Sequence, residues 1–177
     1  MRMNQYSTVF DFAFDRAKLS QWSELVRTTK PKNPYHQHDE VKGMYLDILM
    51  FKDLTEDIHV SLCEATGIAI DRETHSVGIE TVKPLDKVDL HRDYSMGWQN
   101  PFARKCNVMF NLTDVPLHII HKDSSHDKVL LKDQVLILDV TQIHGADNRH
   151  QNESIELLSL NLRMDYNSTV NYFKTLL

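Results

Sequence analysis

The sequence predicts an α+β chain, mainly β, in which N-terminal helices pack on a barrel or sandwich of short strands. Three observations carry this expectation. Early apolar residues recur at helical spacing. From Ile68 onward the pattern changes to short extended runs separated by polar turns. Several of those runs are apolar throughout, as in Val135–Leu138, which marks strands covered on both faces.

Taken in order, Arg16 to Arg27 carries Leu19, Trp22, Leu25 and Val26 on one helical face. Lys30 to His38 holds two prolines and reads as a loop. Val41, Met44, Tyr45, Ile48 and Leu49 fit a second, amphipathic helix. Asp53 with Glu56 forms a capping box for a third, whose buried stripe is Ile58, Leu62 and Ala65 and whose stop is Gly67. The strand candidates are Ser76–Lys83, Val88–Leu90, Asn107–Leu112, Leu117–His121, Val129–Leu131, Val135–Val140 and Ile155–Leu162. Helices first and strands second implies one domain, because the N-terminal helices alone have too little to bury against. Residues 1–67 are expected to be mostly helical support, 68–164 the β-core, and 165–177 a C-terminal tail or helix.

Bulk composition narrows the function. The chain has 177 residues, 41% hydrophobic and 25% charged, with five Gly and five Pro, which suits a folded domain and excludes a linker-rich chain. A net charge of −5 lacks the basic surplus of a general nucleic-acid binder, so nucleic acid is disfavoured as a partner. Cys63 and Cys106 make no disulfide framework and are expected as buried thiols. No secretory leader or 18-residue apolar run is present, so a cytoplasmic, reducing setting away from membranes is expected.

The chemistry concentrates in histidine. His91-Arg92-Asp93 follows the apolar pair Val88/Leu90, and His144 follows Val135–Val140 after a short turn. Two imidazoles and one carboxylate on one face of Fe(II) leave three coordination positions for a bidentate co-substrate and O₂. Strand ends from distant parts of a chain converge at a barrel mouth, where such a site can form. His-x-Asp alone carries little weight, and the chain holds a second one, His121-Lys122-Asp123, whose polar flanks read as a solvated loop. His118 and His121 read as exposed on an edge strand; His36, His38, His59 and His75 read as solvated. Trp98 stands just past the first motif, where loop residues often meet substrate.

Beyond spacing, VGIETVKPLDKVDLHRDYS, ARKCNVMFNLTD and DQVLILDVTQIHGADN resemble successive segments of aspartyl/asparaginyl β-hydroxylase-like oxygenases. The resemblance spans roughly residues 77–163. It implies a double-stranded β-helix (a cupin-like jelly roll), with His91, Asp93 and His144 as catalytic metal ligands. It also implies Fe(II), 2-oxoglutarate and O₂, with ascorbate as reductant in vitro, and hydroxylation of an unactivated C–H bond. The family's arginines are displaced. Lys105 or Arg104 stands where the first is usual, and Asn107 replaces a histidine two residues on. SIELL occupies the place of the second, leaving Arg149 and Arg163 nearby. Alternation puts Ser159, Asn161 and Arg163 on one face of the last strand, so Arg163 is one candidate anchor for the co-substrate carboxylate and Lys105 the other, with Asn107 and Ser159 beside them.

Two other readings remain at this point: a cupin-like metal dioxygenase that does not use 2-oxoglutarate, and a non-catalytic metal-binding module. The partner expected is a small-molecule or peptide substrate.

Overall fold

The computed structural model describes residues 6–29, 44–50, 56–70, 74–93 and 105–177. Ten strands and three helices follow one another as β1 (Ser7–Asp11), α1 (Arg16–Thr29), β2 (Met44–Met50), α2 (Glu56–Thr66), β3 (Thr74–Val82), β4 (Lys87–His91), β5 (Cys106–Asn111), β6 (Leu117–His121), β7 (Lys128–Leu130), β8 (Gln134–Asp139), β9 (His144–Asp147), β10 (Ile155–Leu162) and α3 (Tyr166–Leu176). They form two antiparallel sheets, one ordered β1-β8-β5-β10-β3-β2 and the other β4-β9-β6-β7. From β3 to β6 the chain alternates between the sheets, turns back from β6 to its neighbour β7 in the smaller sheet, and alternates again to β10, so that first and last strands pair, and so do those nested inside them. That is a double-stranded β-helix, a mainly β jelly roll.

Two apolar cores follow from strand alternation. Leu136, Leu138, Met109 and Leu157 point between the sheets and meet Val88, Leu117, Ile119 and Leu130 from the smaller one. Their neighbours Val135, Ile137, Val108, Phe110, Leu158 and Leu160 point outward and meet Leu19 and Trp22 of α1, Leu62 and Ala65 of α2, and Val170 and Phe173 of α3. This is why β5, β8 and β10 read as continuous apolar runs: the larger sheet is buried on both faces. Each fully buried Leu, Ile, Val or Phe adds roughly 1.5–3 kcal/mol.

Most strands lie where the pattern places them, and Leu117–His121 and Ile155–Leu162 match to the residue. The helices α1 and α2 are also as read, and Gly67 ends α2 with φ 70°, in the left-handed region that favours glycine. The helix expected around residues 41–49 is a correction: Met44–Met50 is strand β2, paired antiparallel with β3 from Met44↔Val82 to Met50↔Ser76. MYLDILM is apolar at all but one position, so it satisfies a helical period and a strand alike, and pairing with the open edge of β3 decides. Strand β1 was not expected either; it pairs with β8 from Ser7↔Leu138 to Asp11↔Gln134. The first 67 residues therefore lend two strands to the larger sheet as well as two helices. The proline-rich loop with His36 and His38, Asp53 of the capping box, Trp98 and Arg104 lie outside the described residues.

Polar side chains fix the turns. Asn148, fully buried, donates through Nδ2 to the carbonyls of Val82, Lys83 and Glu153 at 2.9–3.0 Å and accepts from His150 N through Oδ1. It ties the β3–β4 turn to the β9–β10 connection. That turn closes through Asp86 N donating to Lys83 O at 3.1 Å, and places Leu85 at φ 59° with 62% of its surface exposed. Asp165 caps α3 by accepting from Ser168 N, a contact that holds its carboxyl below the usual range. Cys106 is buried as expected, while Cys63 is half-buried.

Two outcomes follow. A branched residue in the left-handed region is strained, so Leu85→Asn should raise unfolding stability by about 1 kcal/mol in a urea titration. Burial pushes the Cys106 thiol up to about 12, so at pH 8 a thiol reagent should modify Cys63 well before Cys106, with peptide mapping as the readout. Unfolding should remove the difference.

Candidate metal centre

His91 ends β4 and His144 opens β9, and the antiparallel register sets them opposite each other. A regular β4 could not achieve this. Val88 pairs with Ala146, and three residues on, an unbroken ladder would send His91 to the outer face. A bulge between Val88 and His91 shifts the register by one residue. It turns Leu90 outward, where 49% of its surface is exposed, and turns His91 inward. The bulged backbone lies against Gly145: a Cβ there would meet Val88 O at 2.6 Å and the Asp89 backbone at 3.3 Å. Glycine next to His144 is thus what lets the bulge pack.

Asp93, two residues past β4, completes the cluster. One ligand atom from each of His91, Asp93 and His144 lies within 4.8 Å of the others. His91 Nε2 is 2.9 Å from Asp93 Oδ1, and His144 Nε2 is 3.7 Å from the same oxygen. The other ring nitrogens face backbone carbonyls: His91 Nδ1 is 2.7 Å from Asp89 O, and His144 Nδ1 is 2.9 Å from Gln142 O. A carbonyl only accepts, so each Nδ1 carries a proton, and Nε2 is the atom of each ring that can offer a lone pair to a metal ion. Two lone pairs and an anionic oxygen converging on one point is the donor set of a divalent metal with orientation already set. The residues present therefore fit a metal ion.

The chamber beside the triad lies between the sheets. Its wall is largely apolar, with Met109, Leu117, Ile119, Leu138 and Leu157, and its polar members are Asn107 and Glu80. Asn107 Nδ2 donates to Asp93 Oδ2 at 3.5 Å. Asn107 and Ser159 are buried, and Asn107 Oδ1 and Ser159 Oγ find no partner. Asn161, on the same face, donates to Ser76 Oγ at 2.8 Å. Arg163 follows β10, half-buried, with its Nε shielded from solvent. Lys105 is exposed just before β5, and continuing the Asn161↔Asn107 register sets it opposite Arg163. Arg149 points elsewhere, its Nε donating to Asp147 at 3.0 Å.

The second His-x-Asp is resolved differently from its reading. Lys122 and Asp123 are solvated, Asp123 capping a 3-10 turn at Ser124–His126. His121, however, is buried at 5% exposure, because β6 is an inner strand between β9 and β7. It continues the row His91–His144–His121 across the smaller sheet. Burial pulls its imidazole below the ordinary histidine value. Its nitrogens are engaged by Ile143 O at 3.3 Å and Ser7 Oγ at 3.0 Å, so the ring braces the strand carrying His144 and bridges to β1. Half-buried His118 lies on the same inner strand. Sequence reasoning missed Glu80, although alternation through Ser76, Gly78, Glu80 and Val82 puts a carboxylate on the face shared with inward Val82.

No protein-family model matches the sequence, and no curated protein matches it. Solved structures do share the fold. One is an oxidoreductase of the 2OG-Fe(II) oxygenase family from Burkholderia pseudomallei, with TM-score 0.52 and 13% identity over 91% of this chain and 86% of that one. Another is a prolyl-4-hydroxylase from Pseudomonas putida, with TM-score 0.53 and 8% identity over 91% of this chain and 94% of that one. Among the described residues, no helix is long and apolar enough to cross a membrane.

Gly145→Ala should force the β4 bulge to move. We expect about 1–3 kcal/mol lost from stability by calorimetry, and a roughly 10–100-fold weaker Co(II) affinity by isothermal titration, the usual effect of misplacing a ligand's support.

Proposed function

We propose that this protein is a non-haem iron(II) oxygenase that uses 2-oxoglutarate to hydroxylate an unactivated C–H bond, with an amino-acid side chain, free or in a peptide, as the substrate class the sequence resemblance favours. The observation that carries it is the convergence of His91 Nε2, His144 Nε2 and an Asp93 oxygen at the edge of an interior chamber. A facial set of two imidazoles and one carboxylate suits Fe(II) with open positions. The two structural neighbours, an oxidoreductase of the 2OG-Fe(II) oxygenase family and a prolyl-4-hydroxylase, support this reading.

His91, Asp93 and His144 would hold the metal, with their ring tautomers set by Asp89 O and Gln142 O. Iron(II), 2-oxoglutarate and O₂ together would supply the oxidising chemistry. For the co-substrate, Ser159 Oγ offers a buried hydroxyl donor, and Arg163 or Lys105 a cation at the end of the same strand pair. A guanidinium fork suits a carboxylate better than an ammonium, which favours Arg163. Asn107 borders the metal positions through Asp93. The apolar wall excludes water, which strengthens every polar contact made inside.

One observation favours a second reading, a cupin-like metal dioxygenase without 2-oxoglutarate. Among the described residues, no Lys or Arg lines the chamber itself.

The deciding experiment is succinate release from 2-oxoglutarate with Fe(II) and ascorbate, comparing the unmodified protein with His144→Ala. Release from the unmodified protein alone is expected, and His91→Ala should abolish both iron binding and turnover. If metal binds but titration detects no 2-oxoglutarate, the second reading replaces the first.

A further inference from the structure

Asp93 presents its two carboxylate oxygens to different halves of the molecule. Oδ1 lies 2.9 Å from His91 Nε2 and 3.7 Å from His144 Nε2, so it faces the histidines of the smaller sheet. Oδ2 lies 3.5 Å from Nδ2 of Asn107, which belongs to β5 in the larger sheet. A carboxylate accepts only, so the Asn107 amide turns its NH₂ toward Asp93 and its oxygen away. The reverse orientation would set a carbonyl oxygen against a charged one. The carboxylate therefore dictates how the amide stands, and Asn107 Oδ1 is left buried with no partner.

Asn107 is the more firmly held of the two. Its strand is paired on both sides, with Leu138 of β8 and Asn161 of β10 opposite it, and 1% of its surface is exposed. Asp93 stands two residues past β4, beyond the ladder with β9. A fixed amide can therefore set the plane of the carboxylate. The contact is long, but the Asp93 side chain is only 9% exposed, and polar contacts shielded from water are stronger than exposed ones. The plane matters because a carboxylate can give a metal one oxygen or two. A second oxygen would fill one of the three positions that two imidazoles and one carboxylate leave open. A donor on Oδ2 holds that oxygen back.

We infer that Asn107 is a positioning residue that keeps Asp93 monodentate, its NH₂ holding Oδ2 off the metal so that three coordination positions stay open. This rests on the metal-centre reading and adds to it how the carboxylate is held. The smaller sheet and the residues just past it supply the ligands, and the larger sheet, through one amide, sets how one of them binds. Asn107 Oδ1 borders the same chamber, where a water on an open position is a donor it can accept from.

The test counts the waters on Mn(II) bound to the full chain, from the broadening of its electron paramagnetic resonance lines in water enriched in oxygen-17. Mn(II) is octahedral, so three protein ligands giving one atom each leave three waters, the count expected for the unmodified protein. Asn107→Leu, close in volume but without a donor, should show one water fewer while circular dichroism stays native. Its Mn(II) affinity by isothermal titration should be about tenfold weaker, as when a ligand loses its hydrogen-bonded support. Asn107→Gln, which keeps the NH₂ on a longer arm, should restore the count. Where the leucine variant fails to fold, Asn107→Ala, which opens onto the chamber, reads the same quantity. A merely structural role would lower stability and leave the count alone, so an unchanged count in a folded leucine or alanine variant overturns the inference. A count of two in the unmodified protein overturns it without any variant. Failure of the unmodified protein to bind Mn(II) overturns the metal-centre reading and the inference with it, and is seen before any waters are counted.

Discussion

The candidate metal triad hangs on one extra residue in β4. Without the bulge between Val88 and His91, the ladder with β9 would carry His91 to the outer face and leave His144 facing an apolar side chain. The bulge needs room, and Gly145 provides it, since any side chain there would strike Val88 O. Asp93 then follows from His91, because two residues of chain bring its carboxylate within 2.9 Å of the ring. The geometry of the candidate ligand set is thus set by backbone packing between two strands.

Around that constraint the jelly roll divides its labour by sheet. The smaller sheet supplies the histidine row His91–His144–His121, with the third member locked by Ser7 and Ile143 O so that it braces the second. The larger sheet supplies the floor: apolar toward Leu157 and Leu138, polar along Glu80, Ser159 and Asn107, and basic at Arg163 and Lys105. The helices stay behind this sheet, against Val108, Ile137 and Leu160, and seal its outer face. Asn107 Oδ1 and Ser159 Oγ, buried in this floor without a partner, are tolerable only where something else completes them.

Much of this was legible from residue order. Alternating and continuous apolar runs located β3–β8 and β10 within a residue or two, because packing on one or two faces leaves a period in the sequence. Strand β2 was misread because MYLDILM has no period to read, and its identity comes from the free edge of β3. His121 was read as exposed because nothing local says that β6 lies between β9 and β7. Glu80 passed unnoticed since a single carboxylate in a strand does not announce which face is the chamber. His91, Asp93 and His144 were nameable in advance as candidate metal ligands because their chemistry is distinctive and the two histidines stand at strand ends.

The sequence by itself determined the mainly β class, the position of most strands, and His91, Asp93 and His144 as the candidate ligands, because residue type and periodicity are local properties. Tertiary structure decided that His121 is buried in line with His144, that Gly145 carries the bulge, and that among the described residues no Lys or Arg lines the chamber. Those outcomes depend on register between strands far apart in the chain. Register is a property of pairs, set by packing and closure of the two sheets, and no single segment contains it.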